Sequence, residues 1–213
     1  MTERADTSDL SAEKSLALIE EQRGRVGRDL EPNAVLLFGA WGLAWLIGFA
    51  GIYAADRGWA GLSELVAGLL FFALLMTALV VTAVQVVRSA RGVRGVSSEI
   101  GAMYGWSWLL GFGCLFAINA GLARQDGGLT DEQWALFGPA GALLVVGLVY
   151  LGGGAMWRDR VQYRLGVWIL ATDAVSVFAG VPGNYLVLAL AGGGGFLAAA
   201  AWFTVQRRRA VPA

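Results

Sequence analysis

Residues 164–209 read RLGVWILATDAVSVFAGVPGNYLVLALAGGGGFLAAAAWFTVQRRR. Two apolar runs flank the turn Pro182-Gly183-Asn184, and three arginines close the stretch. Each run approaches the ~20 residues that an α-helix needs to cross a hydrocarbon core of about 30 Å. The stretch therefore predicts two membrane helices folded back on each other. Asp173 is the one charged residue set deep in any apolar segment of the chain, and Gly192 to Gly195 fall at a similar distance from the turn.

Composition extends this reading to the whole chain. Of 213 residues, 57% are apolar and 15% charged, against about 25% charged in soluble domains. The shortage of charge is concentrated in long uncharged runs, as a bilayer requires. Net charge is zero, so no overall field favours nucleic acid. Histidine is absent, which removes His-held metal or haem and any His general base. The single cysteine, Cys114, cannot form an intramolecular disulfide.

Taken in order, residues 1–10 predict a disordered tail. Over residues 11–31, Leu16, Ile19, Val26 and Leu30 recur at helical spacing, with Arg23 interrupting the stripe. This predicts a cytoplasmic amphipathic helix ended by Pro32; a solvated linker with helical tendency is the competing reading. Six apolar segments follow, at about 34–55, 65–87, 101–123, 134–156, 165–181 and 185–204. Residues 206–213 form a basic tail. The predicted fold class is an all-α integral membrane protein, with six transmembrane helices in three hairpins behind the amphipathic helix. Capping residues mark several starts: Ser63 with Glu64, Ser97 to Glu99, Thr130 with Gln133, and Asn184.

Arginine placement sets the expected orientation. The N-terminal segment, the second and fourth loops and the tail together carry fourteen of the sixteen basic residues. Only Arg57 and Arg124 fall on the other side. The positive-inside bias puts both termini in the cytoplasm, and the expected membrane is the inner (plasma) membrane. Trp59, Trp134 and Tyr185 then mark the outer interface, and Trp157, Tyr163 and Trp202 the inner one.

A short internal repeat supports a hairpin plan. Residues 41–49, WGLAWLIGF, match residues 104–112, YGWSWLLGF, at five of nine positions. A fainter echo begins at Trp168. Chance similarity between spans rich in Leu, Gly and Trp competes with this reading.

Candidate chemistry centres on Asp173. An aspartate in the middle of a spanning helix costs about 2.5–3.5 kcal/mol on insertion, so it must turn inward and find partners. Thr172 precedes it and Ser176 lies one turn on. Thr77 and Cys114 fall near the middle of their own segments. Two readings stand side by side: a proton- or cation-binding carboxylate served by Thr172, Ser176 and Thr77, or a structural aspartate bonded to Thr77 or to a carbonyl freed by the glycines. Gly192, Gly193, Gly194 and Gly195 likewise predict either close helix packing or a backbone opening. Gly152 to Gly154 and the pair Gly101 and Gly105 carry the same two readings. Trp41, Trp45, Trp106, Trp108 and Trp168 form either a stacking site for a flat or cationic solute or packing and interface residues.

No Walker loop, Gly-x-Ser-x-Gly or metal-ligand spacing occurs. A non-enzyme without cofactor or metal is expected. The leading expectation is a small-solute or ion transporter, or a channel-like protein, with a midplane carboxylate. The alternative is a non-catalytic accessory or interaction subunit of a membrane complex. The expected partners are the bilayer and a second copy or another membrane protein.

Overall fold

The computed structural model describes residues 14–17, 33–90 and 96–209. Residues 14–17 are helical; the rest of the amphipathic helix expected over 11–31, and the tail over 1–10, lie outside the described residues, as does the basic tail beyond residue 209. The described residues contain no strand. Five long helices are α1 (Ala34–Asp56), α2 (Glu64–Ala90), α3 (Val96–Leu122), α4 (Asp131–Met156) and α5 (Arg160–Ala179). A continuous helical rod follows, made of α6 (Gly183–Val187), a π-helical stretch (Leu188–Gly193) and α7 (Gly194–Arg209).

Caps locate the starts. The Asn33 side chain accepts the Leu36 N–H at 3.3 Å to open α1, and Ser63 Oγ accepts the Val66 N–H at 3.3 Å beside α2. Thr130 and Gln133 form the reciprocal capping box, at 3.2 and 2.9 Å. Asp159 Oδ1 accepts from the Val161 and Gln162 N–H groups, at 2.8 and 3.1 Å. That cap starts α5 at Arg160, five residues before the predicted 165.

Five helices among the described residues are long and apolar enough to cross a membrane: α1, α2, α3, α4 and the last rod, Gly183–Arg208. The expected count was six. The missing one is α5, whose 20 residues include Arg160, Arg164 and Asp173. One stripe of it, Leu165, Gly166, Ile169, Thr172, Asp173 and Ser176, is buried.

The last hairpin is the centre of the bundle. The rod packs against α1 on one side and α5 on the other; α2 then packs on α1, α5 on α4, and α4 on α3. Missing side chains permit the closest approaches. A Cβ on Gly193 would lie 2.6 Å from Leu46 N, and one on Gly154 2.6 Å from Tyr163 N. Both neighbours are backbone atoms and cannot swing aside.

A row of rings crosses these layers. Trp45 of α1 meets Phe196 of α7 with centroids 5.1 Å apart. Phe196 meets Tyr150 of α4 at 5.9 Å, and Tyr150 meets Trp108 of α3 at 5.9 Å. The two repeat-related tryptophans thus stand at the ends of this row. The repeat glycines are used alike as well. Gly48 faces Phe71 of α2 and Gly111 faces Val145 of α4, each the partner helix of its own hairpin.

Candidate functional site

Four buried polar side chains occur among the described residues: Thr172, Asp173, Ser176 and Asn184. All belong to the last hairpin. On α5 the positions 169, 172, 173 and 176 share one face, so the fold that buries Ile169 also buries the carboxyl of Asp173. Asp173 is 8% exposed. It sits six residues from the C-terminal end of α5, about 9 Å along the axis. The length of the apolar run places it midway between the helix ends; the early cap at Asp159 lengthens the other side and moves it off centre.

Asp173 Oδ1 is buried without a hydrogen-bond partner among the described residues. Ser176 does not supply one, since its Oγ donates to the Asp173 backbone carbonyl at 2.8 Å. Thr172 lies next to the glycine run: its Cγ2 is 4.0 Å from where a Cβ on Gly192 would stand. Thr77 lies elsewhere. It is exposed on α2, donates to the Ala73 carbonyl at 2.8 Å, and α2 packs on α1 rather than on α5. The predicted grouping of Thr77 with Asp173, as partner or as cavity wall, is therefore absent; helix depth alone cannot say which helices are neighbours. Cys114 is exposed on α3, which packs on α4 rather than on α5.

The four glycines divide their roles. Gly192 faces Trp45, Gly193 faces Leu46 and Gly195 faces Trp168, while a Cβ on Gly194 would meet nothing within 4 Å. The rod is not broken here. Leu188–Gly193 winds as a π-helix instead, and wider π turns are frequent at functional sites. Within that stretch the Ala191 carbonyl accepts from Trp168 Nε1 at 2.8 Å. Gly153 and Gly154 also serve close packing, against Gln162, Tyr104 and Tyr163. Gly152, Gly101 and Gly105 have open space around them and carry no such contact.

Asn184 was expected to cap the last helix. It lies inside α6, and its Nδ2 donates to the Ala135 carbonyl of α4 at 3.0 Å. Ala135 stands four residues before Pro139, which has no N–H to give that carbonyl. The Asn184 amide fills the bond that the proline leaves open, while Asn184 Oδ1 has no partner among the described residues. An internal proline in α4 was the signal for this contact, but the donor's identity needed the tertiary arrangement.

The five tryptophans do not form one site. Trp41 donates to Thr82 Oγ1 at 2.9 Å, Trp45 is a core residue, and Trp168 is bonded to the π stretch. On α3, Trp108 joins the ring row while Trp106 is exposed.

No known protein family, curated protein or solved structure matches this chain.

Proposed function

We propose that this is a multi-pass membrane protein that moves an ion or a small solute, with Asp173 as its proton- or cation-binding group. The observation that carries the proposal is the burial of that carboxyl with Oδ1 unpartnered, beside a π-helical glycine segment. An ionised carboxylate enclosed without partners is costly. It is tolerated when it holds a proton or has a cation beside it, and exchange between such states is what a coupling site requires. Thr172 and Ser176 flank it on the same face.

The reading uses six spans, with α5 as the fifth. Twenty residues rise about 30 Å, a full hydrocarbon thickness. The α5 start lies against the α4 end, through Tyr163 and Gly154. The chain just beyond the other end of α5 meets the α4 start, through Asn184 and Ala135. α5 thus runs antiparallel to a helix apolar enough to span; Asp173 is buried, and Arg160 and Arg164 lie in its first two turns. The reading also takes the amphipathic helix over residues 11–31 and both termini as cytoplasmic and the membrane as the inner (plasma) membrane. Catalysis, cofactors and nucleic acid have no part in it.

The test is flux. Purified protein in liposomes should dissipate an imposed pH or solute gradient, and Asp173→Asn should abolish this with folding intact. Normal transport by that variant would end the role given to the carboxyl.

A second reading, an accessory subunit or homo-oligomer, draws on α2 and α3. These helices leave large apolar side chains uncovered, such as Leu65 at 72% and Phe116 at 75% exposed. Under it, the helix expected over residues 11–31 docks the partner, so deleting residues 1–31 should release a co-purifying membrane protein; retention of that partner would remove the docking role.

A further inference from the structure

A groove of about 490 Å³ runs along the surface between α5 and the last rod. Leu165 and Trp168 form one wall, Ala191, Gly194 and Ala198 the other, and Arg164 stands in its lining. We infer that this groove binds one acyl chain of an anionic phospholipid, with the lipid phosphate at Arg164.

Its shape suits a chain. Gly194 leaves open space where a side chain would begin. The indole N–H of Trp168 is already given to the Ala191 carbonyl, so the ring offers the groove an apolar surface. From Leu190 to Ala199 the lining extends nine residues along the rod, about 13 Å at helical rise. That is close to the depth of a single leaflet, half of a hydrocarbon core of about 30 Å.

Its charge suits a lipid with an anionic head. Arg164 is exposed and is the charged residue of the lining. It lies one turn from Arg160 at the start of α5, while Arg207 and Arg208 lie in the last turn of α7. Asp159, the nearest acid along the chain, is engaged by the N–H groups of Val161 and Gln162. An apolar channel of leaflet length with a guanidinium at the polar end calls for an amphiphile with one anionic terminus. A zwitterionic lipid adds a cation where the site already has one.

The inference rests on the bilayer placement proposed above and not on transport through Asp173. Native mass spectrometry of delipidated protein, titrated with phosphatidylglycerol or with phosphatidylcholine of the same chains, tests it. The wild type should retain one phosphatidylglycerol in preference. Arg164→Gln should lower that preference about fivefold, the effect of one basic residue at a lipid surface. Gly194→Leu, which fills the open space, should lose retention of both lipids while keeping its melting temperature. Equal retention of the two lipids by the wild type, or wild-type retention by Gly194→Leu, would overturn the inference. Lipid retained by a protein that shows no flux would remove the transport reading and leave this one standing.

Discussion

At the scale of single residues, the glycine run separates two effects that composition merges. Gly193 and Gly194 are adjacent and chemically identical. A methyl at Gly193 would press on the Leu46 backbone, while one at Gly194 would enter open space. Gly193→Ala should therefore destabilise by about 1–3 kcal/mol, the usual range for overpacking. Gly194→Ala should be neutral or stabilising by up to about 1 kcal/mol, because alanine loses less freedom in a helix. Melting temperatures in detergent should move in opposite directions or differ clearly; equal losses would mean that the rod does not meet α1 as described. The run was legible in the sequence as a site either of close packing or of an opened backbone. Which glycine meets which helix was not, because that depends on the rotation of the rod about its own axis.

At the scale of elements, two helix irregularities are matched by side chains from neighbouring segments. Pro139 leaves a carbonyl in α4 that Asn184 fills, and the π stretch presents a carbonyl that Trp168 takes. Asn184→Ala should cost about 1 kcal/mol, within the range for hydrogen bonds between membrane helices. In a Pro139→Ala background, a restored backbone N–H can serve Ala135, so the same change should cost less. A double-mutant cycle measures this coupling; strict additivity would show that Asn184 does not compensate for the proline. Trp168→Phe keeps a ring but removes the donor, and amide exchange over Leu188–Gly193 should accelerate relative to α4. The Thr130–Gln133 capping box was readable as it stands, since both partners lie within four residues. The proline–asparagine pair was not, since its partners stand 49 residues apart.

At the scale of the whole molecule, the last hairpin lies between the α1–α2 pair and the α3–α4 pair. The least apolar of the long helices, α5, thereby gains protein neighbours on more than one side. α2 and α3, at the outside, keep broad apolar surfaces that lipid can cover. The six-span topology makes a direct prediction. In a Cys114→Ser background, Arg57→Cys and Arg124→Cys should react with an impermeant thiol reagent from one side of the membrane, and Arg208→Cys from the other. If α5 did not cross, Arg208→Cys would react on the same side as Arg124→Cys. The internal repeat belongs to this scale too: its tryptophans approach the central hairpin from opposite flanks, through Phe196 and Tyr150.

The sequence by itself determined that the chain is helical, that long segments of it suit a bilayer, and that its one deep charge lies in the last hairpin. Those properties follow from local composition and run length, which each segment carries without reference to the others. Only the tertiary structure decided that this hairpin is central, that Thr77 stands away from Asp173, and that a π-helical stretch leads into the glycine run under Trp168. Helices of similar length and apolarity are interchangeable by pattern; their neighbours are chosen by shape, through glycine gaps, ring contacts and carbonyls left free by distant residues.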